Sequence, residues 1–222
     1  MHRTAVQKAY KGWGMEGLVA KWYASLTLRS INDFKDLAKR VAAELPPTAR
    51  VLEVAPGPGY FAVELARLGS FRITGLDISN TFVDIAQRNA SKAGVTVEFR
   101  HGDASAMPFA DGSFDFVLCR AAFKNFTRPQ QALQEMERVL DIGGCAWVID
   151  LRGDASQESV AQAVKEMRLG LVNTLLTKLT FRFMLLKRAY TKQEFEQFLN
   201  HTRFGAKEIR ESLTALELCL SK

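Results

Sequence analysis

The chain has 222 residues, of which 47% are hydrophobic and 24% are charged, and its formal net charge is +6. This composition is typical of one well-packed globular domain and excludes an intrinsically disordered chain. No run of about 18 uninterrupted apolar residues occurs, so the sequence predicts no membrane-spanning helix. The first residues also lack the apolar core of a signal peptide, and we expect a cytoplasmic protein.

The charge is unevenly distributed along the chain. Residues 1–50 carry nine Lys and Arg against four Asp and Glu, whereas residues 51–150 carry nine against twelve. Residues 151–222 are basic again, with twelve against eight. No run of five basic residues and no aromatic-plus-basic motif of nucleic-acid-binding proteins occurs, so we expect no nucleic-acid partner and mostly solvated surface charge.

Neither the cysteines nor the histidines predict a metal site. The cysteines are Cys119, Cys145 and Cys219, and the histidines are His2, His101 and His201. The cysteine number is odd, and the spacing matches neither a disulfide framework nor a zinc site. The histidines are scattered, so no ligand set for a metal is visible. Buried, reduced thiols are the expected state of the cysteines.

Two apolar-periodic segments open the chain, at 17–28 and 33–45, and both predict helices. Pro46 and Pro47 end the second. Short apolar, β-branched runs then alternate with helical stretches. The predicted strands are 50–55, 71–77, 95–100, 114–119 and 145–151, and the predicted helices between them are 60–68, 81–93 and 129–140. Strands that are apolar on both faces and alternate with helices indicate a doubly wound parallel α/β sheet.

The last third of the chain has a different pattern. Residues 156–186 predict one or two long helices, and Thr191 with Glu194 has the spacing of a capping box that begins a short helix. Residues 207–212 and 213–220 predict two final strands. We therefore expect a single domain over 1–222, with N-terminal helices (1–47), a ligand-binding core (48–151), and helices with final strands (152–222).

The strongest motif is a strand that runs into a glycine-containing turn, Val51-Leu-Glu-Val-Ala-Pro-Gly-Pro-Gly59. Gly57 and Gly59 allow a ligand to approach the backbone, and the following helix begins with unpaired N–H groups. In doubly wound sheets such a turn is where ligands bind. The turn differs from Gly-x-Gly-x-x-Gly because Ala62 stands where the third glycine would be, and it lacks the Lys-Ser/Thr of a triphosphate site.

Two further acidic positions follow at predicted strand ends. Asp77 ends the run Ile73-Thr-Gly-Leu-Asp77, where a carboxylate can accept both hydroxyls of a ribose. Asp103, followed by the backbone N–H of Ala104, can recognise an adenine amine and ring nitrogen together. Each acidic residue alone could merely cap a turn. Their combination with the glycine turn favours a nucleoside site.

These blocks, together with Asp111–Leu118 and Arg138–Gly144, resemble the class I S-adenosylmethionine-dependent methyltransferases. The similarity covers Arg50 to Asp150 and is to the branch of the ubiquinone/menaquinone C-methyltransferases. It implies a Rossmann-like sheet of seven strands whose last strand is antiparallel, a helical lid, and S-adenosylmethionine as cofactor. It also implies an enzyme that methylates a small molecule.

The resemblance further implies roles for individual residues. Glu53 would lie near the methionine amino group of the cofactor, Asp77 would hold the ribose, and Phe82 would pack on the adenine. Cys119 and Arg120 would line the methionine part of the cofactor and face the methyl acceptor, and Arg120 or Lys124 would stabilise an anionic acceptor. The alternative for Arg120, Lys124 and Asn125 is a surface loop with a helix-capping role. The full expected cofactor set is Glu53, Ala55, Pro56, Gly57, Gly59, Asp77, Ile78, Phe82, Asp103, Ala104, Cys119 and Arg120.

The sequence departs from the family pattern at two places. Ala55 replaces the first loop glycine, and Pro56 and Pro58 stiffen the turn. Arg120-Ala-Ala-Phe-Lys-Asn-Phe126 stands where many small-molecule methyltransferases have a histidine-containing stretch, and it resembles the Arg-Asn segment of the quinone methyltransferases with a lysine in the arginine's place. These departures keep a second hypothesis open, a methyltransferase-like protein that binds the cofactor and catalyses a different reaction or none.

A methyltransferase of nucleic-acid or protein nitrogen usually has Asn/Asp-Pro-Pro-Tyr/Phe after the fourth strand, where this chain has Cys119-Arg-Ala-Ala. A small-molecule acceptor is therefore favoured, and its methylated atom is left open. With no histidine in a catalytic block, we expect proximity and exclusion of water to be the main effects. Tyr190 and Arg188 are further candidates for the pocket. The stretch 169–187 predicts a lid, a membrane contact or a homodimer contact.

Overall fold

A computed structural model describes residues 10–11, 14–166 and 186–222. Within these ranges seven strands form one sheet and seven α-helices flank it. The strands are Arg50–Val54 (β1), Arg72–Asp77 (β2), Glu98–His101 (β3), Phe114–Arg120 (β4), Leu140–Leu151 (β5), Ala206–Glu211 (β6) and Ala215–Ser221 (β7). The helices are Gly17–Thr27 (α1), Ile31–Glu44 (α2), Tyr60–Ala66 (α3), Asn80–Ala93 (α4), Pro129–Val139 (α5), Gln157–Glu166 (α6) and Lys192–Leu199 (α7). Short 3₁₀ turns cover Leu28–Ser30 and Phe123–Asn125.

The strand order in the sheet is β3-β2-β1-β4-β5-β7-β6. The neighbours from β3 to β5 pair in parallel, whereas β7 is antiparallel to both β5 and β6. This arrangement confirms the doubly wound α/β fold with an antiparallel last strand. The order reverses between β1 and β4, which is where open α/β sheets form a ligand-binding crevice at the carboxyl ends of their strands.

Alternate residues of the central strands supply two separate cores. Val51 of β1 and Phe116 of β4 face α2, α3 and α4, and Trp147 of β5 packs at the edge of this core. Leu52 and Val117, their neighbours in sequence, face α5 and α7 on the other side. Because both faces are covered, the strands are apolar at nearly every position, as the sequence predicts.

Side chains cap the N-termini of two helices, and the second of these is the capping box that the sequence predicts. Ser79 caps α4, since its hydroxyl accepts the backbone N–H of Phe82. Thr191 and Glu194 form the complete capping box of α7. Strand β5 begins at Leu140, earlier than predicted, because Leu140 pairs with Phe114 across a bulge. Of the helices predicted over 156–186, α6 is described, and residues 167–185 lie outside the described part of the chain.

Candidate functional site

The turn after β1 has the shape that a bound ligand requires. Gly57 and Gly59 both have positive φ, of 54° and 73°. A Cβ at Gly59 would lie 2.8 Å from Ala86 Cβ and from the ring of Phe99, so only glycine fits there. A Cβ at Gly57 would have no described atom within 4 Å, so this side of the turn is open. The turn therefore offers an accessible stretch of backbone at the N-terminus of α3.

Ala55, which stands at the position of the first loop glycine in the family pattern, adopts a left-handed conformation. Its φ is 56°, and its N–H donates to the carbonyl of Leu76, 2.8 Å away. An alanine in this region costs about 1–2 kcal/mol relative to a right-handed conformation. The turn thus holds Ala55 in a conformation that favours glycine, and the hydrogen bond to Leu76 helps to hold it there. Pro56 follows within van der Waals reach of the Gly75 position on β2.

Asp77, at the end of β2, joins the two loops of the crevice. One carboxylate oxygen accepts the N–H of Gly57 and the other accepts the N–H of Ser79, each at 2.9 Å. The side chain is buried, and this burial raises the pKa of Asp77 to about 6 despite the two hydrogen bonds. Each oxygen retains a second lone pair. Asp77 can therefore bind a diol while it holds the glycine turn in place.

Glu53 is a buried carboxyl group on β1, beneath the same turn. Its Oε2 accepts the N–H of Ala62 in the first turn of α3, at 3.2 Å. Burial raises the pKa of Glu53 to about 8, an effect that the hydrogen bond and the charge of Arg120 only partly offset. Near neutral pH the group is therefore largely protonated. A cation placed beside it would favour the ionised form.

Asp103, the predicted adenine-recognising residue, already has protein partners on both oxygens. One oxygen accepts from the N–H and hydroxyl of Ser105, and the other pairs with Arg128. The neighbouring Ala104 is partly buried against the core. Ile78, in the same part of the crevice, has its carbonyl oxygen 3.1 Å from His101 Nε2. Recognition of an adenine by Asp103 would therefore share the carboxylate with Arg128.

Helix α1 covers the crevice, a contribution that the sequence motifs did not indicate. Tyr23 packs edge-on against Phe82, with ring centroids 5.9 Å apart. Burial raises the pKa of Tyr23, and the charges of Arg120 and Asp77 also act on its hydroxyl. Phe82 itself is buried between α1 and α4. The residue expected to stack on the adenine is therefore packed against Tyr23, and its contact with an adenine stays a prediction.

The segment before α1 is fastened to the N-terminus of α4. The Glu16 carboxylate accepts the N–H groups of Asn80 and Thr81, at 3.0 and 3.1 Å, and the carbonyl of Met15 accepts from the Ser79 hydroxyl. A carboxylate at a helix N-terminus is stabilising because it satisfies free N–H groups and complements the helix dipole. The cover over the crevice is thereby anchored next to Asp77.

Arg120, the last residue of β4, stacks on an aromatic ring. Its guanidinium carbon lies 4.4 Å from the ring centroid of Phe34 on α2. Among the described residues no carboxylate forms an ion pair with it. The preceding Cys119 is fully buried in the core, and burial raises the pKa of its thiol well above the usual range. Arg120 is therefore an available cation at the crevice, whereas Cys119 presents an inert, buried side chain.

Lys124, which the sequence predicts to face the acceptor, is buried and paired with a carboxylate. Its ammonium lies 2.8 Å from Asp150 Oδ1, and both side chains are buried, at 7% and 1% exposure. The carbonyl of Ala121 accepts from the same ammonium, and the backbone N–H of Lys124 donates to the other oxygen of Asp150. The burial and pairing of this group favour a structural role, in which Lys124 joins the end of β4 to β5.

The candidates near the C-terminal helix lie in an aromatic cluster. Tyr190 is buried against Phe123, Phe195 and Phe198. Its hydroxyl accepts from Lys11 Nζ at 2.7 Å, and burial raises the pKa of Tyr190 to about 12. The hydroxyl is therefore a protonated packing group near pH 7. Burial lowers the pKa of Lys11, and the charge of Arg188 lowers it further. Arg188 has no described contact with the crevice.

A cavity of about 440 Å³ lies away from the strand carboxyl ends, between α2 and the middle of β5. Its lining includes Trp147, Cys145, Cys219 and two arginines. Arg40 of this lining pairs with Glu217 at 2.6 Å. The second arginine, Arg210, also pairs with Glu217, at 3.6 Å, and none of the residues that line this cavity belongs to the crevice. Across the described ranges no group of three metal-ligating side chains comes together, and no described helix is long and apolar enough to cross a membrane.

Comparisons with known proteins agree with this geometry. Residues 52–148 match the profile of the methyltransferase domain family. A demethylmenaquinone methyltransferase of Deinococcus radiodurans is 40% identical over 108 residues, which are 48% of this chain and 45% of that protein. The chain thus spans about half the length of the curated relatives that it matches.

Solved structures give the same class of fold over most of the chain. A Methanococcus maripaludis protein proposed to be an S-adenosylmethionine-dependent methyltransferase superimposes with a TM-score of 0.75 over 97% of both chains, at 17% identity. An S-adenosylmethionine-dependent methyltransferase from Aquifex aeolicus gives 0.64 over 86% of this chain and 97% of that one, also at 17% identity.

The fold is thus like that of the solved S-adenosylmethionine-dependent methyltransferases. Residues 52–148, which are 97 of the 222 residues, match the methyltransferase domain family, and this match confirms the resemblance predicted from the sequence.

Proposed function

We propose that this protein binds S-adenosylmethionine in the crevice at the carboxyl ends of β1, β2 and β4 and transfers its methyl group to a small molecule. The observation that carries the proposal is the joint geometry of the open Gly57 turn and the buried Asp77 carboxylate that is hydrogen-bonded to it. The residues present fit the cofactor. The turn would accommodate its amino-acid part, and Asp77 would bind the ribose diol.

When bound, S-adenosylmethionine supplies an electrophilic methyl group on a positively charged sulfur. The protein's own contribution is to position and enclose the reactants. Tyr23 and Phe82 would exclude water from the nucleoside side, and Glu53 would offer a carboxylate to the cofactor's amino group. Such positioning is worth several kcal/mol because it replaces a chance encounter by a fixed geometry.

For the acceptor we propose an oxygen-activated nucleophile of the quinol or phenol type. Its oxygen, as an anion, makes the oxygen or a ring carbon nucleophilic, and the proton displaced from that atom leaves to solvent. Arg120 supports this class, since its guanidinium has no described carboxylate partner and stacks on Phe34 at the end of β4. The Deinococcus radiodurans relative is named a demethylmenaquinone methyltransferase, so a quinone-type acceptor is the first that we would test.

One experiment identifies the acceptor. The protein is incubated with a metabolite extract and S-adenosylmethionine labelled in its methyl group, and the labelled product is identified by mass spectrometry. A reduced naphthoquinol without the ring methyl group is tested in parallel. A protein that binds the cofactor and labels no small molecule would instead support the second hypothesis, in which this fold only binds or catalyses another reaction.

Asp77→Asn is expected to weaken binding of S-adenosylhomocysteine about 10- to 100-fold. The change removes the charge from hydrogen bonds to the ribose, and hydrogen bonds to charged groups contribute about 1.5–3 kcal/mol each. Asparagine is preferred to alanine because it retains an acceptor for one of the N–H groups of Gly57 and Ser79. Isothermal titration calorimetry measures the affinity.

The matched control is Asp84→Asn, which changes an exposed carboxylate on α4 without touching the crevice. Its affinity should equal that of the unmodified protein. If Asp77→Asn is folded, by circular dichroism, and binds with unchanged affinity, the ribose assignment is wrong.

The affinity for the cofactor is expected to depend on pH because of Glu53. Its pKa of about 8 means that the free protein holds a proton there below that pH. A cationic amino group placed beside it lowers the pKa, so cofactor binding near pH 7 should release a proton. Affinity should therefore rise between about pH 6 and pH 8 and then level off. Calorimetry in buffers of different ionisation enthalpy counts the proton.

Glu53→Gln is the control for that measurement, because it keeps the hydrogen bond from Ala62 and cannot ionise. The variant should bind more weakly and without the released proton. A proton count that is the same in both proteins would assign the release to another group, and Glu53 would then lose its proposed role.

A further inference from the structure

Helix α1 exposes its large apolar side chains. Leu18 is 82% exposed, Trp22 is 65% exposed and Leu26 is 43% exposed. Residues four positions apart lie on the same side of a helix, so the three form one stripe, and Val19 widens it at 42% exposure. We call these four residues the α1 stripe.

The buried side of the same helix carries small residues. Ala20 is fully buried and Ala24 is 7% exposed, where α1 packs on Phe82 and Ile85 of α4. A surface helix of a globular protein ordinarily has the reverse arrangement, with large apolar residues inward and polar ones outward. Packing among the described residues therefore does not account for the α1 stripe.

The charges around the stripe are positive. Lys21 and Arg29 are exposed, and no acidic residue occurs from Gly17 to Ile31. Glu16, the acidic residue just before α1, is engaged with the N-terminus of α4. Residues 1–50 as a whole carry nine basic against four acidic residues. A surface of tryptophan and leucine with basic flanks is typical of helices that lie in the interface of an anionic membrane.

We propose that the α1 stripe docks the protein on an anionic lipid surface. A second copy of the chain is the less favourable occupant, for two reasons. Four side chains fall well short of the roughly 800 Å² per partner that a standard protein interface buries. A self-contact through this helix would also bring the Lys21 side chains of two copies towards each other, which is repulsive.

Docking in this way places the candidate site next to the lipid. The inner side of α1 presents Tyr23 to Phe82 at the crevice. The thickness of a helix with its side chains is about 10–12 Å, so only that distance would separate lipid from the crevice. If the proposed function holds, an apolar acceptor dissolved in the membrane could reach the site without crossing bulk water. Lipid binding itself is independent of methyl transfer.

Co-sedimentation of the full chain with vesicles tests the proposal. Vesicles of phosphatidylcholine alone are compared with vesicles that also contain one quarter phosphatidylglycerol, at low and high salt. We expect binding to the anionic vesicles that salt weakens. The double substitution Leu18→Glu with Trp22→Glu should reduce binding about tenfold or more, because it removes apolar burial and adds repulsion from the lipid charge.

Ile142→Glu is the matched control, since Ile142 is 89% exposed and lies at the other end of the sheet. It should bind like the unmodified protein. Lys21→Glu with Arg29→Glu keeps the stripe and should lose the preference for anionic vesicles. Circular dichroism and cofactor titration verify that each variant is folded.

Two results would overturn the proposal. One is equal vesicle binding by the Leu18→Glu, Trp22→Glu variant, which would assign any membrane contact to another surface. The other is a dimer of the unmodified protein in sedimentation equilibrium without lipid that the same double substitution dissociates. That outcome would make the α1 stripe a contact between copies of this chain.

Discussion

Lys124→Met is expected to lower the free energy of unfolding by about 3–5 kcal/mol, because it leaves the buried carboxylate of Asp150 without its counter-charge. The pair is well enclosed, with 7% and 1% of the two side chains exposed. Methionine fills most of the space of the lysine stem, so the loss of the charge dominates. Urea denaturation followed by circular dichroism measures the change.

A second substitution separates the charge from other effects. Lys124→Met combined with Asp150→Asn should be more stable than Lys124→Met alone, because the pair is then neutral and asparagine can still accept one of the two N–H groups that Asp150 binds, those of Lys124 and Leu151. Lys92→Met, at an exposed site on α4, serves as the control and should change little. Unchanged stability of Lys124→Met with a large loss of turnover would return Lys124 to the acceptor-facing role predicted from the sequence.

Arg120→Ala is expected to lower the rate of methyl transfer about 100- to 1000-fold while leaving cofactor affinity within a few-fold. Loss of one pre-organised donor to a developing or resident anion has effects of this size. The stack on Phe34 fixes the guanidinium in place, so its orientation is set before an acceptor arrives. Turnover is measured with the acceptor found by methyl labelling, and affinity by titration with S-adenosylhomocysteine.

Arg120→Lys tests whether the planar guanidinium matters beyond its charge. Lysine retains the charge and positions it less well, so turnover should fall less than in the alanine variant. The competing explanation is that Arg120 only steadies α2 against β4. In that case both variants would lower the melting temperature and keep the turnover of each folded molecule, and the acceptor-binding role would be ruled out.

The sheet and most of its helices could be predicted because their signals are local. Strands apolar on both faces, the capping serine at Ser79 and the capping box at Thr191 each depend on a few neighbouring residues. Strand boundaries were less accurate. The extension of β5 back to Leu140 depends on pairing with Phe114 across a bulge, which is a contact between distant residues.

The carboxylates of the site were predictable for a related reason. A residue at the end of a parallel strand points to the same crevice whatever surrounds it, so Glu53 and Asp77 could be located from strand periodicity and the glycine turn. The ion pair of Lys124 could not be predicted from the sequence. Its partner Asp150 lies 26 residues away, and only the parallel pairing of β4 with β5 brings the two together.

The sequence motifs also could not predict which helices cover the crevice. Tyr23 and Phe34 lie on helices whose apolar periodicity is that of ordinary core packing, and nothing in their spacing indicates which strand end they meet. The structure has helices at both predicted segments, 17–28 and 33–45. The place of α1 over the crevice depends on Glu16, which accepts N–H groups at the N-terminus of α4 and so holds the segment before α1 there.

The position of β7 has a consequence for how the polypeptide folds. This strand lies between β5 and β6 although it follows both in sequence, and it pairs with each over six or seven residues. Strand β6 therefore has no place in the sheet until β7 has been inserted beside β5. Contacts of such long sequence separation slow folding, because the loop entropy is lost before the pairing is gained. Until residues 215–221 have been synthesised, the edge of β5 stays open to pairing with other chains, which makes this interval prone to aggregation.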